Sequence, residues 1–212
     1  MQTVIGIAGG IASGKSEVCR IFSTFGVETL SADLIARQLT DSDPTIRRKI
    51  TDLFGPEAYG TPSGVLDRRH IATEVFRNKK KLRALNAVVH PAVLAAIKRD
   101  ALAAIGASRG RYLAVEAALM FESGLSEEVD YVLCVVADDA ARIARSLTRD
   151  GTAEEDVRGR MGAQLPQEEM AERSDFVLHN NGTLEELRRR VEFFHTLFST
   201  LHPRSTHHHD TN

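Results

Sequence analysis

Cysteine is scarce in this sequence: 212 residues contain two, Cys19 and Cys134. Each sits among apolar neighbours, so both read as small buried hydrophobes, and nothing indicates a disulfide framework or an oxidising compartment. No apolar run approaches the ~18 residues that span a bilayer. Met1-Gln2 leads straight into a strand-like segment, without the basic, apolar and small-residue order of a signal peptide. A cytoplasmic protein with no membrane contact is expected, with a monomer favoured. Excess charge is also lacking: 27 Lys and Arg face 29 Asp and Glu, a formal net charge of -2. That leaves no global basic field for nucleic acid. The runs Lys79-Lys80-Lys81 and Arg188-Arg189-Arg190 lie in helix-like stretches and read as solvated faces. There is no internal repeat. The remainder, 42% hydrophobic and 26% charged, is ordinary for a globular chain that buries one core with an inserted or appended subdomain.

The first apolar run, Val4-Ile5-Gly6-Ile7-Ala8, is short, β-branched and broken by Gly9-Gly10, as in a buried parallel strand. A helical pattern then runs from Lys15 through Val18, Ile21, Phe22 and Phe25 to a stop at Gly26. Val27 to Ser31 reads as a second strand closing at Asp33, followed by a helix over Leu34 to Leu39. Between Pro44 and Ile105 only helix patterns occur, around a Gly/Pro-rich turn region from Gly55 to Gly64. Strand character returns at Tyr112 to Val115 and Tyr131 to Val136. A largely helical block covers Asp139 to Ala171. A last strand, Phe176 to Leu178, turns at Asn181-Gly182 into a helix over Leu184 to Leu201. Strands alternating with helices predict an α/β fold around a doubly wound parallel sheet. The helical middle is too long for a crossover and predicts a cap over the ligand site. The tail from Pro203, with His207-His208-His209, reads as disordered or appended rather than as a metal site.

One motif carries chemistry. Gly9-Gly10-Ile11-Ala12-Ser13-Gly14-Lys15-Ser16 fits G-x-x-x-x-G-K-[ST] between a predicted strand and a predicted helix, the context a P-loop requires. Its glycines let the backbone turn tightly and aim successive N–H groups into one concavity. The helix that begins there adds its positive dipole end. Lys15 can reach the β- and γ-phosphates of ATP or GTP, and the Ser16 hydroxyl can ligand Mg²⁺.

Phosphoryl transfer also needs a group that takes the acceptor's proton, and cations for the transferring group. Asp33 is the first candidate, since ligands of open parallel sheets bind beyond the carboxyl ends of strands. A cap for the helix starting at Leu34 suits it equally well. Glu116 ends the third strand, where a carboxylate near Mg²⁺, a substrate contact and a surface residue all fit. Arg142, Arg145 and Arg149 recur at helical spacing; together they suit a lid that closes over ATP.

Further segments make the pattern specific. Ala8-Gly9-Gly10-Ile11 runs into the P-loop, followed by Ser31-Ala32-Asp33-Leu34-Ile35-Ala36-Arg37, Gly64-Val65-Leu66-Asp67-Arg68 and the pair His90-Pro91. Leu119-Met120-Phe121-Glu122, Arg145, Arg149, Gln164 and Asn180-Asn181-Gly182 complete the set. With these the sequence resembles the dephospho-coenzyme A kinase family over nearly its whole length. The resemblance implies ATP-dependent phosphorylation of the 3′-hydroxyl of dephospho-coenzyme A, with Mg²⁺. It also implies a three-layer α/β/α P-loop core (1–43, 111–138 and 174–202), a helical substrate domain (44–110), a small lid (139–173) and a disordered tail (203–212). By position, Asp33 matches the family's general base, Arg68 and His90 the substrate side, and Arg145 and Arg149 lid arginines near the phosphates. ATP is then held by Gly9 to Ser16 with Glu17 and Arg149, catalysis falls to Asp33, Lys15 and Arg145, and substrate contacts to Asp33, Arg68, His90 and Glu116. Three departures stand out. Glu17 replaces a usual Thr, Ala118-Leu119 a frequent Pro-Leu, and Ser31 a common Asp.

The nearest rival is another small-molecule or nucleoside monophosphate kinase, which would share the P-loop, the Asp and the arginine lid. A GTPase switch should carry Asn-Lys-x-Asp, which is missing. Asp52-Leu53-Phe54-Gly55 fits Asp-x-x-Gly but ends a helix instead of following a strand.

Overall fold

The computed structural model describes residues 3–107, 112–151 and 153–204. The expected disordered or appended tail, with His207 to His209, falls from residue 205 onward outside the described residues. In chain order the elements are β1 (Thr3–Ala8), α1 (Lys15–Thr24), β2 (Glu28–Ser31), α2 (Ala32–Ser42), α3 (Pro44–Phe54), α4 (Arg68–Arg77) and α5 (Lys79–Ala107). There follow β3 (Tyr112–Glu116), β4 (Tyr131–Val136), α6 (Asp139–Asp150), α7 (Glu154–Gly162), α8 (Gln167–Glu172), β5 (Phe176–His179) and α9 (Leu184–Phe198). Short 3-10 turns stand at Pro56–Tyr59 and Leu125–Glu127.

The chain divides into two compact units, one of Met1–Leu30 with Ala101–Asn212 and one of Ser31–Asp100. The first is built on a five-stranded sheet ordered β2-β3-β1-β4-β5. β1 runs parallel to β3 and to β4, and β4 parallel to β5. Helices cover both faces, as expected for a parallel sheet. The chain crosses to opposite sides of β1, so the carboxyl end of β1 is a topological switch point, where such sheets bind ligands. Ile5, Ile7, Val18, Phe22, Leu133, Val135 and Leu178 form the buried core. Phe22 packs edge-on against Tyr112 with ring centroids 5.9 Å apart. Each such fully buried side chain stabilises the fold by about 1.5–3 kcal/mol.

The second unit has its own core of Ile46, Ile50, Phe54, Leu66 and Ile71. Its helix starts follow local chemistry. Asp43 caps α3, accepting from Thr45 N and Ile46 N, and Pro44 supplies a φ already suited to the first helical position. Asp67 caps α4 in the same way. α5 continues through Pro91, which cannot donate to the turn before it.

One boundary differs from the sequence reading. α2 starts at Ala32, not Leu34, because Ser31 is its cap: Ser31 Oγ accepts from Leu34 N at 3.3 Å. Asp33 therefore neither ends a strand nor caps a helix; it lies in the first helical turn, where a carboxylate suits the dipole. The largely helical block expected over 139–171 consists of α6, α7 and α8. The helical unit runs from Ser31 to Asp100. The end of α2 is tied into this unit: Tyr59 Oη donates to Thr40 O, and Arg47 Nη1 to Asp41 O.

Candidate active site

The P-loop fills the connection from β1 to α1. Gly9 and Gly14 have φ of 142° and 108°, and Ala12, a residue with a Cβ, is held at 57°. Strain of that kind persists where surrounding contacts over-determine it. At Gly9 a Cβ would run into the Val135 carbonyl, at Gly10 into the Arg142 guanidinium, and at Gly14 into the Asn180 amide. Lys15 is 8% exposed. Its ammonium donates to the Gly9 and Gly10 carbonyls at 2.8 and 3.1 Å, so it lies along the loop's own concavity. The first N–H groups of α1 have no intrahelical acceptor and carry the positive dipole end.

Two elements brace this loop from outside. From α6, Arg142 Nε donates to Ile11 O at 3.0 Å, and Arg145 Nη2 donates to Asn180 O at 2.7 Å. Arg142 is only 5% exposed, so it is a buried strut of the loop. Arg145 and Arg149 line a pocket of about 210 Å³ together with Ala12, Gly14, Lys15 and Ser16. Of the predicted ATP residues, Ala12, Gly14, Lys15, Ser16, Glu17 and Arg149 thus share one cavity with Arg145, while Gly9, Gly10, Ile11 and Ser13 are not among its lining residues. Beyond β5, Asn180 Nδ2 donates to Ser13 O at 2.8 Å. Gln164 spans two loops: its Oε1 accepts from Ile11 N at 2.8 Å and its Nε2 donates to Ala118 O at 3.2 Å.

Glu116 sits at the carboxyl end of β3, next to β1 in the sheet, and Ser16 Oγ donates to its Oε1 at 2.6 Å. Glu17, the departure from the usual Thr, is engaged by Arg20 at 2.6 and 2.9 Å. Those bonds hold its carboxyl below the ordinary range. Its charge is thereby compensated beside the phosphate-binding loop.

In the helical unit, Asp33, Arg37 and Arg68 line one pocket of about 250 Å³ with Leu66 and Asn86. Two of the predicted substrate-side residues are therefore brought together. His90 is half-buried on α5 and is not among the residues lining that pocket. The roles of Arg142, Gln164 and Asn180 escaped the sequence reading. Asn180 follows a strand's carboxyl end, and the rule that singled out Asp33 would have found it.

A parallel sheet with a phosphate-binding loop at its switch point, a lysine inside that loop, and a serine–carboxylate pair at its end defines a P-loop phosphotransferase. A model of the dephospho-CoA kinase family matches residues 3–186. A dephospho-CoA kinase of Chlorobaculum tepidum is 42% identical over 195 residues, 91% of this chain and 93% of that one. Among solved structures, a Thermus thermophilus protein superposes with a TM-score of 0.78 at 33% identity, covering 95% of this chain and 99% of its own. A dephospho-CoA kinase from Campylobacter jejuni does so with 0.68 at 25%, covering 94% and 98%. The chain belongs to the dephospho-CoA kinase family.

Proposed function

We propose that this protein transfers the γ-phosphoryl group of ATP to the 3′-hydroxyl of dephospho-CoA, giving CoA and ADP, the last step of coenzyme A synthesis. The observation that carries phosphoryl transfer is the Ser16–Glu116 pair at the end of the P-loop. The acceptor's identity rests on the family.

In this reading the P-loop N–H groups and Lys15 bind the β- and γ-phosphates, and Arg145 and Arg149 meet charge developing on the transferring group. The Ser16 hydroxyl is a hard oxygen donor, and Glu116, which accepts its hydrogen bond, orients it, an arrangement that suits Mg²⁺. Among the described residues no group of three or more His, Cys, Asp or Glu forms a metal cage. Mg²⁺ commonly uses one or two protein ligands plus substrate phosphates, so Ser16, oriented by Glu116, would hold it. When bound, it neutralises charge on the phosphate oxygens. Asp33 accepts the proton of the acceptor hydroxyl, and Arg68 and His90 serve the substrate side. The expected cytoplasmic location belongs to the same reading. Among the described residues no helix is long and apolar enough to cross a membrane.

The test of the base role is Asp33→Asn. Turnover is expected to fall about 10²- to 10⁴-fold with ATP affinity unchanged; unimpaired turnover would contradict the role.

A further inference from the structure

One carboxylate of the helical unit has no place in the scheme above. Asp41, in the last turn of α2, uses both of its oxygens. Oδ1 accepts from Leu66 N at 3.1 Å, and Oδ2 accepts from Arg68 Nη2 at 2.8 Å. Arg68 Nη1 turns back to Leu66 O at 3.3 Å. Arg68 is thus fixed by one charge-assisted bond and one backbone bond at the start of α4. Its guanidinium has five donors in a planar fork, and these two bonds leave donors to spare. The same Arg68 lines the pocket that Asp33 and Arg37 also line. A second contact fixes the carboxylate's own backbone: Arg47 Nη1 donates to Asp41 O at 2.7 Å and to Gly64 O at 2.8 Å. Burial by itself would raise the Asp41 carboxyl, but the bonds from Arg68 and Leu66 N outweigh it and hold it below the usual range. Asp41 is therefore ionised throughout the working pH range and keeps its grip on Arg68.

We propose that Asp41 is a positioning residue for the acceptor: it holds the Arg68 guanidinium in the orientation that receives the anionic diphosphate of dephospho-CoA. The inference rests on dephospho-CoA being the acceptor. Its logic is preorganisation, since an arginine already fixed loses less freedom when it meets an anion. Three accounts of Asp41 give different signs. If it acts only through its charge, removing a carboxylate beside an anion site lowers KM. If it only supports the fold, stability falls and KM stays. If it positions Arg68, KM for the acceptor alone rises.

Asp41→Asn separates them, because the amide oxygen can still accept from Leu66 N while the charge that holds Arg68 is gone. The measurement is steady-state kinetics of Asp41→Asn, Arg68→Ala and the double variant, with dephospho-CoA and ATP varied in turn, beside thermal melts. We expect KM for dephospho-CoA to rise about tenfold in Asp41→Asn, the scale of one weakened charge-assisted anchor. KM for ATP, kcat and the melting midpoint stay near wild type, and Asp41→Asn adds nothing to Arg68→Ala. An acceptor KM that is unchanged or lower overturns the proposal. So does a rise of equal size in the Arg68→Ala background, or a parallel rise in KM for ATP with a lower melting midpoint. If the wild type makes no ADP with dephospho-CoA, the acceptor reading falls and this inference with it. If the wild type turns over and Asp41→Asn matches it, the inference alone falls.

Discussion

Ser16 Oγ donates a 2.6 Å hydrogen bond to Glu116 Oε1, joining the last residue of the P-loop to the carboxyl end of β3. Adjacent parallel strands place the two together: β1 pairs with β3 in a register that sets Ile7 against Glu116. That pairing brings together residues a hundred positions apart in the chain, and the oxygen pair it makes is the feature on which the magnesium proposal depends.

Glu116→Gln keeps an acceptor for Ser16 but removes the charge. The Mg²⁺ concentration needed for half-maximal rate should rise about 10- to 100-fold, the usual cost of disturbing a group that orients a metal ligand. Initial rates across a Mg²⁺ titration at fixed ATP check this. An unaltered Mg²⁺ dependence would remove Glu116 from the metal's surroundings.

Gly9→Ala and Gly26→Ala make a controlled pair. Both glycines have φ in the left-handed half, 142° and 79°, but only at Gly9 does a Cβ meet a backbone atom, the Val135 carbonyl, while Gly26 faces open space. Gly26→Ala should cost roughly 1 kcal/mol from its conformation. Gly9→Ala adds displacement of β4 and should cost about 1–3 kcal/mol more. Urea denaturation of the two variants measures the difference, and equal losses would mean that the loop yields freely against β4.

Much of this was legible in the sequence. The P-loop needed only its spacing and the strand before it, and the helical middle followed from the want of any strand pattern between Pro44 and Ile105. The start of α2 is less legible because Ser31 both closes β2 and caps α2, and a serine cap gives no signal until the turn after it is known to be helical. Asp33 moved with it, from strand end to first helical turn. The bracing of the loop was out of reach for a different reason. Arg142 with Ile11, Asn180 with Ser13 and Gln164 with Ala118 are contacts between segments far apart in the chain, and residue type alone does not reveal them.

Burial in β4 pushes the Cys134 thiol up from 9.0 to about 11. The folded protein therefore keeps a proton that the unfolded chain releases first. Stability should be insensitive to this group below about pH 9 and should decline as pH rises from there through about 11. Urea midpoints of wild type and Cys134→Ala across that range isolate the contribution. The variant should decline less steeply, and parallel curves would mean that Cys134 titrates alike in both states.

The most direct test of the central claim is ADP release, measured with a coupled assay, when dephospho-CoA is offered as acceptor alongside nucleoside monophosphates. The account predicts saturable, Mg²⁺-dependent ADP formation with dephospho-CoA, matched mole for mole by CoA. ADP formation with a nucleoside monophosphate and none with dephospho-CoA would contradict it.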